Sequence, residues 1–240
     1  MEVDWVVFDA VGTVIRAEPS VAVAYHAIGT RFGSDRTVDD VRSRFATAFA
    51  ETERNDLANG SGLATSATVE EARWRHVVSS VFPEVADAEA CFQELHDYFA
   101  LPSAWSVFED TAPALEMLRD GGVGLAIASN FDHRLHSICD GTPALTLFEK
   151  RYVSSELGYR KPSEHFFREM ITDLNAVPER VLMVGDSLEN DVEGALAIGM
   201  RASLISRENA DIATDQDVKT GSGEQVSVIR SLTELEGLLT

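Results

Sequence analysis

Residues 3–8 form a short apolar run of β-branched and aromatic side chains that stops at Asp9, with a Gly12-Thr13 turn signal just beyond. A run this short, bounded by turn residues, reads as a buried strand. The same design recurs after Pro102: an apolar run at 123–128 stops at Ser129-Asn130, one at 181–184 stops at Gly185-Asp186, and another spans 202–205. Helical spacing separates them, over 111–120, 132–139, 163–174 and 191–198, with a short strand at 152–153, a last strand at 226–229 and a last helix at 232–239. Strands alternating with helices predict an α/β fold with a three-layer, Rossmann-like parallel sheet core. In such a sheet ligands bind beyond the carboxyl ends of the strands. Asp9, Ser129-Asn130 and Asp186 all fall there, so three polar clusters distant in sequence are expected to meet.

Between the first strand and Pro102 the pattern changes. Apolar residues recur at helical intervals over 20–32, 38–50, 69–81 and 88–99, and a stretch rich in Asn, Gly, Ser and Thr at 56–68 reads as a loop. No strand is expected here. The chain therefore divides into a core of residues 1–16 and 106–240 and an all-helical insertion of residues 17–105. Residues 211–224 are polar and glycine-containing and are read as a second loop.

A net charge of −20, from 40 acidic and 20 basic residues, repels phosphate backbones and anionic lipid, so neither nucleic acid nor membrane is an expected partner. An anionic substrate would need local positive charge or a metal. No apolar run approaches the ~18 residues that span a bilayer. The acidic N-terminus enters a strand directly, unlike a signal peptide, and the cytoplasm is the expected compartment. Cys91 and Cys139 have no metal-site spacing and are read as buried free thiols. The pattern does not report an oligomeric state.

Each polar residue at the sheet edge has an ordinary reading. Asp9 and Asp186 can cap turns, Ser129-Asn130 can cap the next helix, and Lys161 can be a solvated charge before Pro162. Their coincidence at one edge argues for a site. Lys161 is one of only three lysines, against seventeen arginines, and a compact ammonium can hold an anionic nucleophile and a phosphoryl group together. Asp9, Asp186 and Asp191 would repel one another without a cation, and carboxylates with waters suit Mg²⁺.

Taken in order, FDAVGT, SN, a lysine before proline and GDSLEND resemble the haloacid dehalogenase superfamily over nearly the whole chain. SNFDHRL, SSELGYRKPSEHFF and VGDSLENDVEGALAIGM resemble its haloacid dehalogenase-like hydrolase domain-containing protein 3 group. The resemblance implies a hydrolase acting on a small, phosphorylated substrate, with the helical insertion as a cap. It implies Asp9 as nucleophile, Thr13, Ser129, Asn130 and Lys161 as phosphoryl ligands, and Lys161 as the partner of Asp9. Mg²⁺ would be held by Asp9, Asp186, Asp191 and the Val11 backbone carbonyl. One departure stands out: phosphatases of this superfamily carry an acid/base aspartate two residues after the nucleophile, and here that residue is Val11. General acid–base help is worth ~10²–10⁴-fold in rate. A Mg²⁺-dependent phosphatase acting on good leaving groups or using an acid from the cap, a 2-haloacid dehalogenase and a non-catalytic binding protein all stay open. Carbon–phosphorus cleavage is set aside, because it relies on a cap lysine and the insertion has none. His26 is one candidate cap acid. Arg44, Arg54 and Arg73 are read as facing water, with an anionic substrate as the alternative. Trp5, Trp74 and Trp105 are read as packing residues.

Overall fold

The computed structural model describes residues 2–58, 63–207, 218–221 and 223–238. Parts of the two expected loops (59–62, 211–217 and 222) and residue 239 of the last expected helix lie outside them. Strand β1 (Trp5–Phe8) runs into a tight turn, and β2 (Ile15–Ala17) leads out to four helices: α1 (Val21–Arg31), α2 (Val38–Ala58), α3 (Ala67–Val81) and α4 (Ala88–Tyr98). Strand β3 (Trp105–Val107) returns antiparallel to β2, pairing Ile15 with Val107 and Ala17 with Trp105. This ribbon was not expected from the sequence, because three residues per strand carry no readable alternation.

The α/β alternation then follows as α5 (Thr111–Asp120), β4 (Gly124–Ser129), α6 (Arg134–Asp140), β5 (Lys150–Val153), α7 (Ser154–Leu157), α8 (Glu164–Leu174) and β6 (Val181–Gly185). A π-helical turn (Leu188–Glu193) and the three-residue α9 (Gly194–Leu196) replace the single helix expected at 191–198. The chain continues through β7 (Arg201–Ile205), β8 (Val218–Lys219), β9 (Gln225–Ile229) and a 3₁₀ stretch (Leu232–Leu238) where an α-helix was expected. Strand β8 lies inside the expected 211–224 loop and pairs antiparallel with β9.

The sheet order is β5-β4-β1-β6-β7-β9-β8, parallel except for β8. The chain fills one side of β1 first and then crosses to the other, which makes the end of β1 the point where strand order reverses. Register then sets the site. Phe8 pairs with Ile127 on one side and Val184 on the other, so Asp9 emerges level with Ala128 and Gly185, at strand spacings of about 4.8 Å. The sequence-distant residues Asp9, Ser129 and Asp186 thereby meet at one edge.

Both faces of the sheet are covered. Val6 and Phe8 pack with Leu115 and Leu118 of α5 and Leu135 of α6, while Val7 faces Phe166, Phe167 and Met170 of α8. In α8 the buried positions 166, 167, 170, 171 and 174 form one apolar stripe, and Asn175 ends the helix in the left-handed region. The helices α1–α4 share a separate core around Tyr25, Val77, Phe82 and Leu95. Side chains of Ser66 and Asp87 cap α3 and α4 by accepting from Val69 N and Ala90 N. No described helix is long and apolar enough to cross a membrane. Phe8 is fully buried with its ring 5.9 Å from that of Phe148. Phe8→Ala is expected to cost ~3–5 kcal/mol, read as a lower urea midpoint, and a change within error would contradict the packing described.

Candidate active site at the carboxyl edge of the sheet

The Lys161 ammonium is 3% exposed and donates to three oxygens: Asp9 Oδ1 at 2.7 Å, Ala128 O at 2.8 Å and Asp191 Oδ1 at 2.5 Å. Its three protons are matched by three acceptors. Burial works against its charge, but Asp191 and Asp9 outweigh burial and hold it above the usual lysine range. Lys161 is itself held by Asn130, whose side-chain carbonyl accepts from Lys161 N at 2.7 Å and whose amide donates to Lys161 O at 2.9 Å. The Asn130 side chain therefore grips the lysine peptide. Asn130 also lines the cavity.

Asp191 reaches Lys161 from the π-helical turn. That turn is capped by Ser187, whose hydroxyl accepts from Asn190 N at 3.1 Å, and Ser187 N donates to Asp191 Oδ2 at 3.0 Å. A π turn re-aims a side chain relative to an α-helix, which an α-helical reading of the segment missed. Two glycines make the close approach possible. Gly12 has φ +89°, and a Cβ there would lie 2.2 Å from Asp186 Oδ2; a Cβ on Gly185 would lie 2.1 Å from Asp191 Oδ2. Any larger residue would displace a carboxylate.

Asp9, Asp186 and Asp191 each offer an oxygen within 4.8 Å of the others. Three carboxylates against one ammonium leave an excess of negative charge. Partial withdrawal of the Asp186 carboxylate from water, then the charges of Asp9 and Asp191, push it up to about 7. Burial and the Asp9 charge, opposed by Lys161, push Asp191 up to about 6. A hard divalent cation fits this donor set: it takes oxygen ligands and would offset the surplus charge.

Thr13 is fully buried. Its carbonyl accepts from Arg207 at 3.1 and 2.6 Å, whereas its hydroxyl has no partner. Ser129 is buried at the cavity floor, and Val11, 39% exposed, also lines the cavity. This cavity, of about 370 Å³, lies between the sheet edge and the helices α1–α4.

Its walls contain residues that the sequence pattern placed elsewhere or did not single out. Arg73, expected to face water, is buried and ion-paired with Glu70 at 3.1 Å and with Asp56. Arg160, next to Lys161, is buried and bonds Glu53 at 2.6 Å and Asp56 of α2 and pairs with Glu70 of α3 at 3.6 Å, which ties both helices to the core. Only the adjacency of Arg160 to Lys161 could have drawn notice to it. Arg134 chelates Asp132 at 2.7 Å through two nitrogens. Arg44 and Arg54 are exposed, and His26 does not line the cavity. The two cysteines are buried free thiols, both pushed up to about 11 by burial.

The family profile described as haloacid dehalogenase-like hydrolase matches residues 3–199, and the chain belongs to that family of hydrolases. It is 28% identical over 206 residues to haloacid dehalogenase-like hydrolase domain-containing protein 3 of Bos taurus, covering 83% of this chain and 80% of that protein. A shorter match, 33% over 92 residues, covers 38% of this chain and 40% of a glyceraldehyde 3-phosphate phosphatase from Methanothermobacter thermautotrophicus. Among solved structures, a haloacid dehalogenase-type phosphatase from Thermococcus onnurineus superposes with a TM-score of 0.64 at 26% identity, covering 100% of this chain and 98% of that one.

The raised carboxyl of Asp186 gives a stability signature. Its folded value of about 7 exceeds the ordinary 3.8, so its contribution is fully present below that ordinary value and lost as pH rises through about 7. Without divalent metal, Asp186→Asn is expected to gain stability relative to the parent as pH goes from 5 to 8. A difference in urea midpoint that stays flat over this range would refute the crowding of these carboxylates.

Proposed function

We propose that this chain is a Mg²⁺-dependent phosphatase that works through an aspartyl phosphate on Asp9, with α1–α4 as a cap over the reaction. The observation that carries the reading is the joining of Asp9 to a buried, charged Lys161 inside a cluster of three carboxylates that suits a divalent cation. Asp9, Asp186, Asp191 and the Val11 carbonyl would hold Mg²⁺. When bound, the ion supplies charge neutralisation that lets a phosphate dianion approach an anionic site.

Lys161 orients Asp9 and faces the incoming charge. Asp9 forms a bond to phosphorus as the bond from phosphorus to the leaving oxygen breaks. Water then attacks phosphorus, releasing phosphate and restoring the carboxylate. Thr13 is not among the cavity-lining residues, but its buried hydroxyl lacks a partner, a state costing about 1–3 kcal/mol, and a phosphoryl oxygen reaching it would satisfy it. Ser129 lies on the cavity floor as a further donor, and Asn130 contributes by fixing Lys161. The size of the cavity suits small phosphorylated substrates, and relatives named as phosphatases support the same reading.

Val11 favours a second reading. It places an isopropyl group beside Asp9 where no proton can be given to a leaving group, and halide departs without one, as a 2-haloacid dehalogenase requires. The carboxylate cluster, which that reaction does not need, favours the phosphatase.

The test is phosphate release from acetyl phosphate with Mg²⁺. Asp9→Asn is expected to lower the rate at least ~10³-fold, and excess EDTA to abolish it. Halide release from 2-haloacids that survives EDTA would establish the second reading instead. Neither activity, with phosphate analogues still bound, would mark a binding protein.

A further inference from the structure

The cavity above Asp9 is walled by aromatic rings in two series. Phe45 and Phe49 stack at 6.0 Å, and Trp74 continues from Phe49 at 6.1 Å. Phe99, Trp105 and Phe131 follow one another at 5.8 and 5.9 Å, and Phe131 directly follows Ser129-Asn130. All six line the cavity. The Arg134 guanidinium joins the series, 5.8 Å from the ring centre of Trp74 and 5.5 Å from that of Phe131. The volume of about 370 Å³ falls within the range of small-molecule sites, roughly 300–1,000 Å³.

The charges in these walls are already spent. Arg134 is chelated by Asp132, and Arg73 and Arg160 face Glu53, Asp56 and Glu70. Among the described residues, Arg73 and Arg160 are outnumbered by Glu53, Asp56 and Glu70, so these walls carry no net positive charge for a second anionic group, although Arg73 Nε and Nη1 and Arg160 Nε lack a hydrogen-bond partner. Glu70 is engaged as an acceptor from Thr65 at 2.7 Å, and Glu53 from Arg160 at 2.6 Å. Burial and the Arg134 charge keep the His96 ring below its ordinary value and hence neutral at pH 7. Beside Asp9 itself stands Val11, which holds no proton.

We propose that the substrate is an aryl phosphate monoester, whose single ring lies between the aromatic walls and whose oxygen leaves as phenoxide. This rests on the phosphatase reading and names its substrate class. Both halves of the geometry point the same way. Rings stack on rings with a gain beyond simple burial. A phenol ionises near pH 10, whereas an alcohol resembles water, near 15.7, so a phenoxide departs without the proton that Val11 cannot give. An Asp9 oxygen bonds to phosphorus, and the phosphorus–oxygen bond to the ring breaks with its electron pair on the phenoxide. Water then cleaves the aspartyl phosphate, giving phosphate and the free carboxylate, and the phenoxide takes up the proton that this water releases.

The experiment compares phenyl phosphate with cyclohexyl phosphate, which matches it in size but leaves as an alkoxide, and with acetyl phosphate, which leaves easily but has no ring. The full chain is used with Mg²⁺. Phenyl phosphate is expected to exceed cyclohexyl phosphate in kcat/KM by ~10²-fold or more. Phe49→Leu is expected to lower the phenyl-to-acetyl ratio of kcat/KM by about 3–10-fold, and Trp74→Phe is a milder second variant should Phe49→Leu fold poorly. Calorimetry on Asp9→Asn gives a readout without turnover, with phenyl phosphate expected to bind about tenfold more tightly than ethyl phosphate. If acetyl phosphate is hydrolysed but phenyl phosphate is no better than cyclohexyl phosphate, the aryl proposal falls and the phosphatase reading stands. If none of the three compounds is hydrolysed, the phosphatase reading falls. Calorimetry then decides the aromatic site: tighter binding of the phenyl ester upholds recognition of the ring, and equal binding overturns it.

Discussion

The buried ammonium of Lys161 is the interaction on which the site depends. It touches an oxygen from each of three elements: Asp9 after β1, Ala128 in β4 and Asp191 in the π-helical turn. Without it, Asp9 and Asp191 would face each other as buried like charges, which is costly in a medium of low dielectric. With it, one proton donor sets the position of both carboxylates. Asn130 completes the arrangement by holding the lysine peptide at both its N–H and its carbonyl. The steric side of the same constraint lies in Gly12 and Gly185, which leave room for Asp186 and Asp191 where a methyl group would collide.

A second charge cluster joins the helices to the core immediately beside this site. Arg160 precedes Lys161 in the chain and shares Glu53, Asp56 and Glu70 with Arg73. Backbone bonds reinforce the join: Thr65 N donates to Gly158 O at 2.8 Å and Arg160 N to Leu63 O at 2.9 Å. Buried ion pairs of this kind add little net stability, because desolvation offsets their attraction. Their effect here is geometric. They fix where α2 and α3 stand over the sheet edge, and so give the cavity its aromatic walls. Helix α2 runs to Ala58, past the expected end at 50, and Glu53 and Asp56 in its last turns are the residues that Arg160 holds.

Much of this architecture was legible in the chain before folding. Each core strand is an apolar run that ends at a polar residue, and in a parallel sheet the ends share one edge, so the meeting of Asp9, Ser129 and Asp186 followed from local pattern. The four inserted helices were legible from apolar spacing. Other features had no local signal. The β2–β3 ribbon has three residues per strand, too few for alternation to register. The π turn at Leu188–Glu193 has helical composition, and its altered winding accompanies the contact of Asp191 with Lys161. Arg73 looked like any charged residue on a helix surface, because its acidic partners come from another helix as well as its own.

The sequence by itself determined the order of the main parallel strands and the helices between them, the inserted helical layer and the identity of the charged groups at the sheet edge, because these follow from short-range spacing and composition. Only the tertiary structure decided that Asn130 holds Lys161, that Arg73 and Arg160 are paired with carboxylates within the walls, and that aromatic rings line the cavity shared with the nucleophile. Those outcomes depend on strand register and on the placement of the helices over the sheet. They are set by contacts between residues far apart in the chain, which no local pattern encodes.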